Sequence, residues 1–409
     1  MTPHELPFRF NRAFLALWVS QWLSQLGTSV STLAYPLLVL DLTGSAGRAG
    51  TVASVLSATT FLLRLPAAGL VDRYSYRRLM LAADLVRAGA LGSLATAIAA
   101  GDATLPHVLA VVVAEGALGV VFGPAEFTAV RLVVAAARRA DAVGRMQSRT
   151  ALAGLLGPAA GGALFAVHPA LPFAADAVSY LLSWCLVWRT RLPLAPGGRP
   201  PRGAMCELVA GIRWLRSQRF LWAAAWWIAG QTAVFGSVGL ALLVLARARG
   251  ATSGQIGILC TLSATGAVVG AAATPALQRL WSPRATLRAA AWADTAATAA
   301  LLPVRSPYLM GAIGAVAFFL VPASNAALFG LVATTVPDEL AGRAQAAATQ
   351  VTTLLAPIAP VAIGAIADAR DASFGTATCA LAFLALAIVA STPLLPECRT
   401  PPPAQRGGV

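Results

Sequence analysis

Gly69-Leu70-Val71-Asp72-Arg73-Tyr74-Ser75-Tyr76-Arg77-Arg78-Leu79 sets four charges between two long apolar runs, 47–70 before it and 79–100 after it. A spanning helix takes about 20 mostly apolar residues, and each flanking run exceeds that. Working outward, similar runs fall at 13–40, 105–133, 148–167, 171–189, 220–246, 254–278, 285–303, 308–334, 345–367 and 374–395, twelve in all. In lipid the backbone must satisfy its own polar groups, so only helices or closed barrels span. Barrel strands alternate polar and apolar residues, and these runs do not. Of the 409 residues 58% are hydrophobic and 11% charged, with a mean hydropathy of +0.73. A soluble domain is about one quarter charged, so an ordinary soluble enzyme is excluded. The predicted fold is an all-α membrane protein of twelve transmembrane helices.

The longest polar gap, 190–219, divides the spans six and six. It opens Pro/Gly-rich from Pro193 to Gly203. Leu208, Val209, Ile212 and Leu215 then share one helical face, with Arg213, Arg216 and Arg219 on another. That pattern predicts a helix on the membrane surface, a solvated linker being the plainer alternative. The expected division is 1–189, a six-helix bundle; 190–219, a cytoplasmic linker; and 220–409, a second bundle with a short tail. The halves echo each other: Gly123-Pro124 and Val321-Pro322 are 198 residues apart, as are Gly144-Arg145-Met146-Gln147 and Gly342-Arg343-Ala344-Gln345. A duplicated six-helix unit, giving two pseudo-symmetric bundles, is a transporter architecture.

All 30 basic residues are Arg. With the N-terminus in the cytoplasm, 23 fall on inner segments and five (Arg48, Arg247, Arg249, Arg305, Arg370) on outer loops; Arg64 and Arg87 lie within spans. The positive-inside rule then sets both termini in the cytoplasm. The net charge of +14 is expected to meet anionic lipid heads and not nucleic acid. The five Cys are scattered without disulfide or zinc spacing. Phe14 to Leu40 is too long for a signal-peptide core.

The opening stretch resembles the loop signature of the major facilitator superfamily, roughly G-x-x-x-D-R-x-G-R-R. The Asp72-Arg73 and Arg77-Arg78 pairs match; Ala68 replaces the first Gly, Gly69 comes one residue late, and Ser75 replaces the loop Gly. Gly144, Ala153, Gly157-Pro158 and Gly161-Gly162 resemble the span-five antiporter motif of exporters in this superfamily, with Ala153 for one Gly. Phe122-Gly123-Pro124-Ala125 is similar to the branch that includes the enterobactin exporter and macrolide efflux proteins. The resemblance implies a bacterial inner-membrane exporter, monomeric as is common in this fold. By the physics, small residues at 154, 157, 161 and 162 permit close helix approach, and Pro158 permits a bend. Asp72, at the end of span two, can pair with Arg87 or Arg131. With Arg73, Arg77, Arg78 and Asp84 these form a candidate cytoplasmic latch, topology determination by the arginines alone being the alternative.

Ionisable residues at membrane depth are functional suspects. Asp176 is near its helix start and reads as interfacial; Asp84 and Arg87, three apart, read as a structural pair. Glu115 and Glu126 are eleven residues apart and so face one side of span four, about 16 Å apart along it. Arg64 sits at a depth that predicts a contact with Glu126. Glu115, Glu126, Arg64 and Asp294 are the proton-coupling candidates. Span one carries Gln21, Ser24, Gln25, Thr28, Ser31, Thr32 and Tyr35 on one face, expected to line a cavity. Many relatives have an acidic residue where Thr28 stands, which weakens the case for a proton site in that span. The far wall is expected to include Trp226, Trp227, Gln231, Phe235, Asn325, Gln350 and Thr353, suiting a bulky, weakly polar ligand.

With no Lys anywhere, a phosphate-binding G-x-x-x-x-G-K-[ST] loop is excluded. His4, His107 and His168 lie at the terminus and in outer loops, away from carboxylates, so an enzyme and a metal site are not expected, nor any cofactor. The leading reading is export of an amphipathic small molecule by proton antiport; the alternatives are an importer or facilitator on the same fold, and a non-transporting sensor.

Overall fold

The computed structural model describes residues 12–190, 204–337 and 340–392. The first bundle comprises α1 (Arg12–Thr43), α2 (Ala46–Arg73), α3 (Tyr76–Ala100), α4 (Leu105–Val133), α5 (Arg139–Val167) and α6 (Leu171–Arg189). After α7 (Ala204–Ser217) the second comprises α8 (Arg219–Ala248), α9 (Ser253–Leu280), α10 (Pro283–Ala300), α11 (Pro307–Phe319), α12 (Val321–Thr335), α13 (Ala341–Thr353), α14 (Ala359–Ala369) and α15 (Ala372–Ser391). Among the described residues 10 helical segments are long and apolar enough to cross a membrane, α11 and α12 counting as one. The more polar α10, with Arg284, Arg288 and Asp294, and the interrupted pair α13–α14 bring the crossings to twelve. Both ends of the described chain therefore lie on one face, the terminus face; the turns after α1, α3, α5, α8, α10 and α14 lie on the far face.

Local chemistry sets the helix ends. Ser45 caps α2 by accepting from Arg48 N at 3.1 Å, and Thr252 and Gln255 form a reciprocal capping box on α9. Gly101, at φ 80°, supplies the left-handed residue that closes α3. Two helices of the second bundle are broken where the first bundle's are not. Pro322 stands in the first turn of α12, just past the break at Leu320, whereas Pro124 lies within continuous α4. Between α13 and α14, Leu354, Ala356 and Ile358 each bond back three residues, at 3.2 Å, and Pro357 and Pro360 bring no N–H.

The linker helix is present as α7. Its apolar face is partly covered: Leu208 and Leu215 are buried, Ile212 is half-buried and Val209 exposed, and Gly211 abuts the Arg343 carbonyl on α13. Arg213 and Arg216 stay exposed. The covering of part of that face by the second bundle was not readable from its own pattern.

The two bundles are stitched along α2 and the α13–α14 pair. At the far face the Asp368 carboxylate accepts from Ala46 N at 2.7 Å, Gly47 N at 2.9 Å and the Ser45 hydroxyl. Val361 N donates to Ser54 Oγ at 3.1 Å, and Arg247 pairs with Asp41 at 2.7 Å. Deeper in, Gln350 donates to the Phe61 carbonyl and Arg64 to Thr353 Oγ1, both at 3.2 Å.

Candidate functional site

Inside the first bundle lies a cavity of about 690 Å³, to which all six of its helices contribute. The polar face of α1 lines it with Gln21, Ser24, Gln25, Thr28, Thr32 and Tyr35; α2 adds Arg64, α3 Arg87, α4 Glu115 and Glu126, α5 Thr150 and α6 Tyr180. The helical repeat that placed the α1 residues together also aims them away from lipid. Thr28 and Tyr180 share a hydrogen bond of 2.8 Å, and Thr150 donates to Gln25 at 2.8 Å, so α1 is held to α5 and α6 by polar contacts.

The charges divide into two groups. Near the terminus face Glu126 accepts from Arg149 at 2.8 Å, with both side chains almost fully buried. At the inner end Glu115 accepts from the Tyr35 hydroxyl through Oε2, while Oε1 has no protein partner. Arg87 donates to the Glu115 main-chain carbonyl at 3.1 Å and lies over the rings of Phe122 and Tyr180. Gly119 leaves the room: a Cβ there would stand 2.5 Å from Arg87 Nη2.

Several expectations take a different form. The predicted Arg64–Glu126 contact is not made; Arg64 turns to Thr353, and Glu126 takes Arg149. Asp84 and Arg87 do not pair directly and do not belong to the loop: both are buried, and Asp84 accepts from Ser183 at 2.7 Å. Asp176 is fully buried, not interfacial, and accepts from Ser31 and Ser179. In the loop itself Arg77 donates to the Trp188 carbonyl at 2.6 Å, Arg73, Arg78 and Arg131 are exposed, and the Asp72 side chain lies outside the described residues.

The expected far wall does not reach the cavity. Trp227 is buried and donates to the Leu386 carbonyl at 3.0 Å, within the packing of α8 on α15. Gln231 donates to Asp294 at 2.9 Å, both buried. Asn325 is half-buried on α12, and Gln350 reaches α2. The cavity lining comes from the first bundle.

The span-five glycines are contact points. A Cβ on Gly161 would meet the Val30 carbonyl at 2.6 Å, and Gly157 abuts Ser29, so both seat α5 on α1. Gly162 faces Gly257 across the bundle boundary, where a Cβ on Gly257 would stand 2.6 Å from the Pro158 carbonyl. Gly144 and Gly154 have nothing within 4 Å of such a Cβ. The run thus brings α5 against α1 and against α9 of the other bundle.

Beyond the spans, burial pushes the Asp368 carboxyl upward, but the Ser45 hydroxyl, the Gly47 and Ala46 N–H groups and the Arg48 charge outweigh it and hold the carboxyl below its usual range. A carboxylate at a helix N-terminus is the favourable sign for the helix dipole.

The profile of the Major Facilitator Superfamily matches residues 17–360. The chain belongs to that superfamily. It has the multi-pass helical membrane fold of that superfamily. Over 223 residues it is 32% identical to the multidrug efflux pump Tap of Mycobacterium tuberculosis, a match covering 51% of this chain and 52% of Tap. Over 198 residues it is 26% identical to the uncharacterized transporter YkuC of Bacillus subtilis, covering 47% and 45%. The chain thus matches about half the length of these curated relatives. Among solved structures, a bacterial homologue of the human lysosomal transporter Spinster superposes with a TM-score of 0.74 at 14% identity, covering 94% of this chain and 96% of that one. The D-xylose-proton symporter gives 0.70 at 14%, covering 94% and 98%. At such identities the likeness is one of fold.

Proposed function

We propose that this transporter exports an amphipathic small molecule, such as a drug, antibiotic or siderophore, by proton antiport and alternating access. The observation that carries this reading is Glu115: a buried carboxyl on the cavity wall that accepts from the Tyr35 hydroxyl. A cationic part of a cargo and a proton would compete for that one carboxyl. Glu126 serves differently. Its guanidinium partner is fixed at 2.8 Å, which suits a static strut.

Export is supported by the half-length likeness to an efflux pump and by the antiporter-type run Gly157-Pro158-Gly161-Gly162, which packs α5 on both α1 and α9. The same run and the Phe122–Ala125 stretch support kinship with the exporter branch of enterobactin and macrolide carriers. The 23-to-5 arginine bias supports a bacterial inner-membrane location with both termini cytoplasmic. In that orientation the stitched far face is external and the drawn state is closed outward. The working division is 1–189, 190–219 and 220–409, in a monomer.

The test is a panel of toxic amphiphiles on cells with and without the gene, repeated with the proton gradient collapsed and with Glu115→Gln. Resistance that needs both the gradient and Glu115 sustains the reading. Resistance indifferent to the gradient, or uptake down it in oriented vesicles, overturns it in favour of a facilitator or importer.

A further inference from the structure

On the cavity wall and just behind it, three buried carboxyls surround one guanidinium. Asp84 and Asp176 are fully buried and Glu115 nearly so, and Arg87 is the cation among them. Arg87 forms no ion pair with any of the three; its bond goes to the Glu115 main-chain carbonyl and its face to Phe122 and Tyr180. The next guanidinium, Arg149, is taken by Glu126, and Arg64 points to Thr353 across the boundary. The other titratable groups facing the cluster are the phenols of Tyr35 and Tyr180 and, toward Asp84, the Arg149-paired Glu126. Three carboxylates against one cation would leave two uncompensated charges at membrane depth, and protonation is the less costly outcome.

The acceptors open to each serine hydroxyl bear on which carboxyls take the protons. Gln21 donates to Ser183 at 3.4 Å, and Ser183 donates to Asp84 at 2.7 Å. That chain runs one way, toward an acceptor, and suits an ionised Asp84 one turn from Arg87 on α3. Around Asp176 the hydroxyls have other acceptors for their single protons: Ser31 has the Gly27 carbonyl at 3.1 Å, and Ser179 the Asp176 main-chain carbonyl at 2.8 Å. With a proton on Asp176 Oδ2 the bond to Ser31 would run the other way, from carboxyl to hydroxyl, and every group in that network would keep a partner. Glu115 accepts from Tyr35 on one oxygen and keeps the other, which has no protein partner, for a proton.

We propose that Glu115 and Asp176 form a two-proton store at the inner end of the first bundle, with Asp84 alone ionised as the counter-charge of Arg87. The store is an equilibrium property of the resting protein; it shares Glu115 with the transport reading but is independent of cargo and direction, so an inactive carrier would still hold both protons.

The test is infrared spectroscopy of the purified protein in lipid vesicles at neutral pH, in an Asp294→Asn background so that the second bundle's buried carboxyl does not contribute. The carbonyl stretch of protonated carboxyl groups is expected to contain two components. Glu115→Gln should remove one and Asp176→Asn the other, while Glu126→Gln removes neither. Carboxyl-13C labelling of aspartate in the Asp294→Asn protein, with no further substitution, should shift one component, which keeps the test sound where Asp176→Asn fails to fold. No protonated-carboxyl band at neutral pH, or none that moves on aspartate labelling, would overturn the proposal.

Discussion

At the same register, 198 residues apart, the first bundle carries Glu126 and Arg149 where the second carries Ser324 and Ala347, and Glu115 where the second carries Ile313. All four residues of the first comparison are buried, so the difference is not one of depth. The duplicated frame keeps its helices and crossings while one copy keeps the charges. The second bundle's own buried carboxyl, Asp294, is tied to Gln231 away from the cavity. It carries instead the interrupted helices. One bundle is chemically loaded and continuous; the other is quiet and jointed.

The largest expected effect tests that asymmetry directly. Glu115→Gln should reduce gradient-driven efflux to background in vesicles while Asp294→Asn leaves it near the parent rate; the reverse result would exchange the roles of the bundles. Next, Glu126→Gln strands Arg149 and should destabilise the protein by about 3–5 kcal/mol, read as a lower melting temperature in detergent. Glu126→Leu combined with Arg149→Met, which makes the first bundle as uncharged there as the second, should recover most of the loss. A double variant no more stable than the single would mean that the pair does more than hold α4 to α5.

At the bundle boundary, Gly162→Val forces side-chain atoms into the Ser253–Gly257 backbone and should cost about 1–3 kcal/mol, widening spin-label distances across the far face. Gly154→Ala, with open space around it, should change nothing. The smallest effect belongs to Asp368→Asn, about 1 kcal/mol of far-face closure by analogy with loss of a helix cap. Because the closed form holds this carboxyl below its ordinary range, its contribution is full above about pH 4 and disappears as acid protonates it; the variant should lack that acid-dependent opening in the same distance measurement.

The crossings, the duplication and the polar face of α1 were legible because each is a repeat along the chain. Partners across helices were not. Arg149 looked like a loop charge because apolar character begins at about residue 148, yet α5 begins at Arg139, placing Arg149 nearly three turns inside. Asp176 looked interfacial by distance from its helix start. The spacing of Asp176, Ser179, Tyr180 and Ser183 was the available signal: a polar stripe on α6 that answers the stripe on α1. Arg64 could be placed by depth but not by azimuth, and azimuth sends it to Thr353. The far wall failed for the same reason, since Trp227 and Gln231 face the interior of their own bundle.

The joint between α13 and α14 bears on how such a machine moves. Over Leu354–Ile358 the regular four-residue ladder has already been given up for three-residue turns, and proline has removed donors on either side of Ile358. Bending at that point has only those three-residue bonds to break. The segment that carries Asp368 to α2 can therefore swing as a short lever on a ready-made pivot, leaving the six helices around the carboxyls to turn as a rigid block.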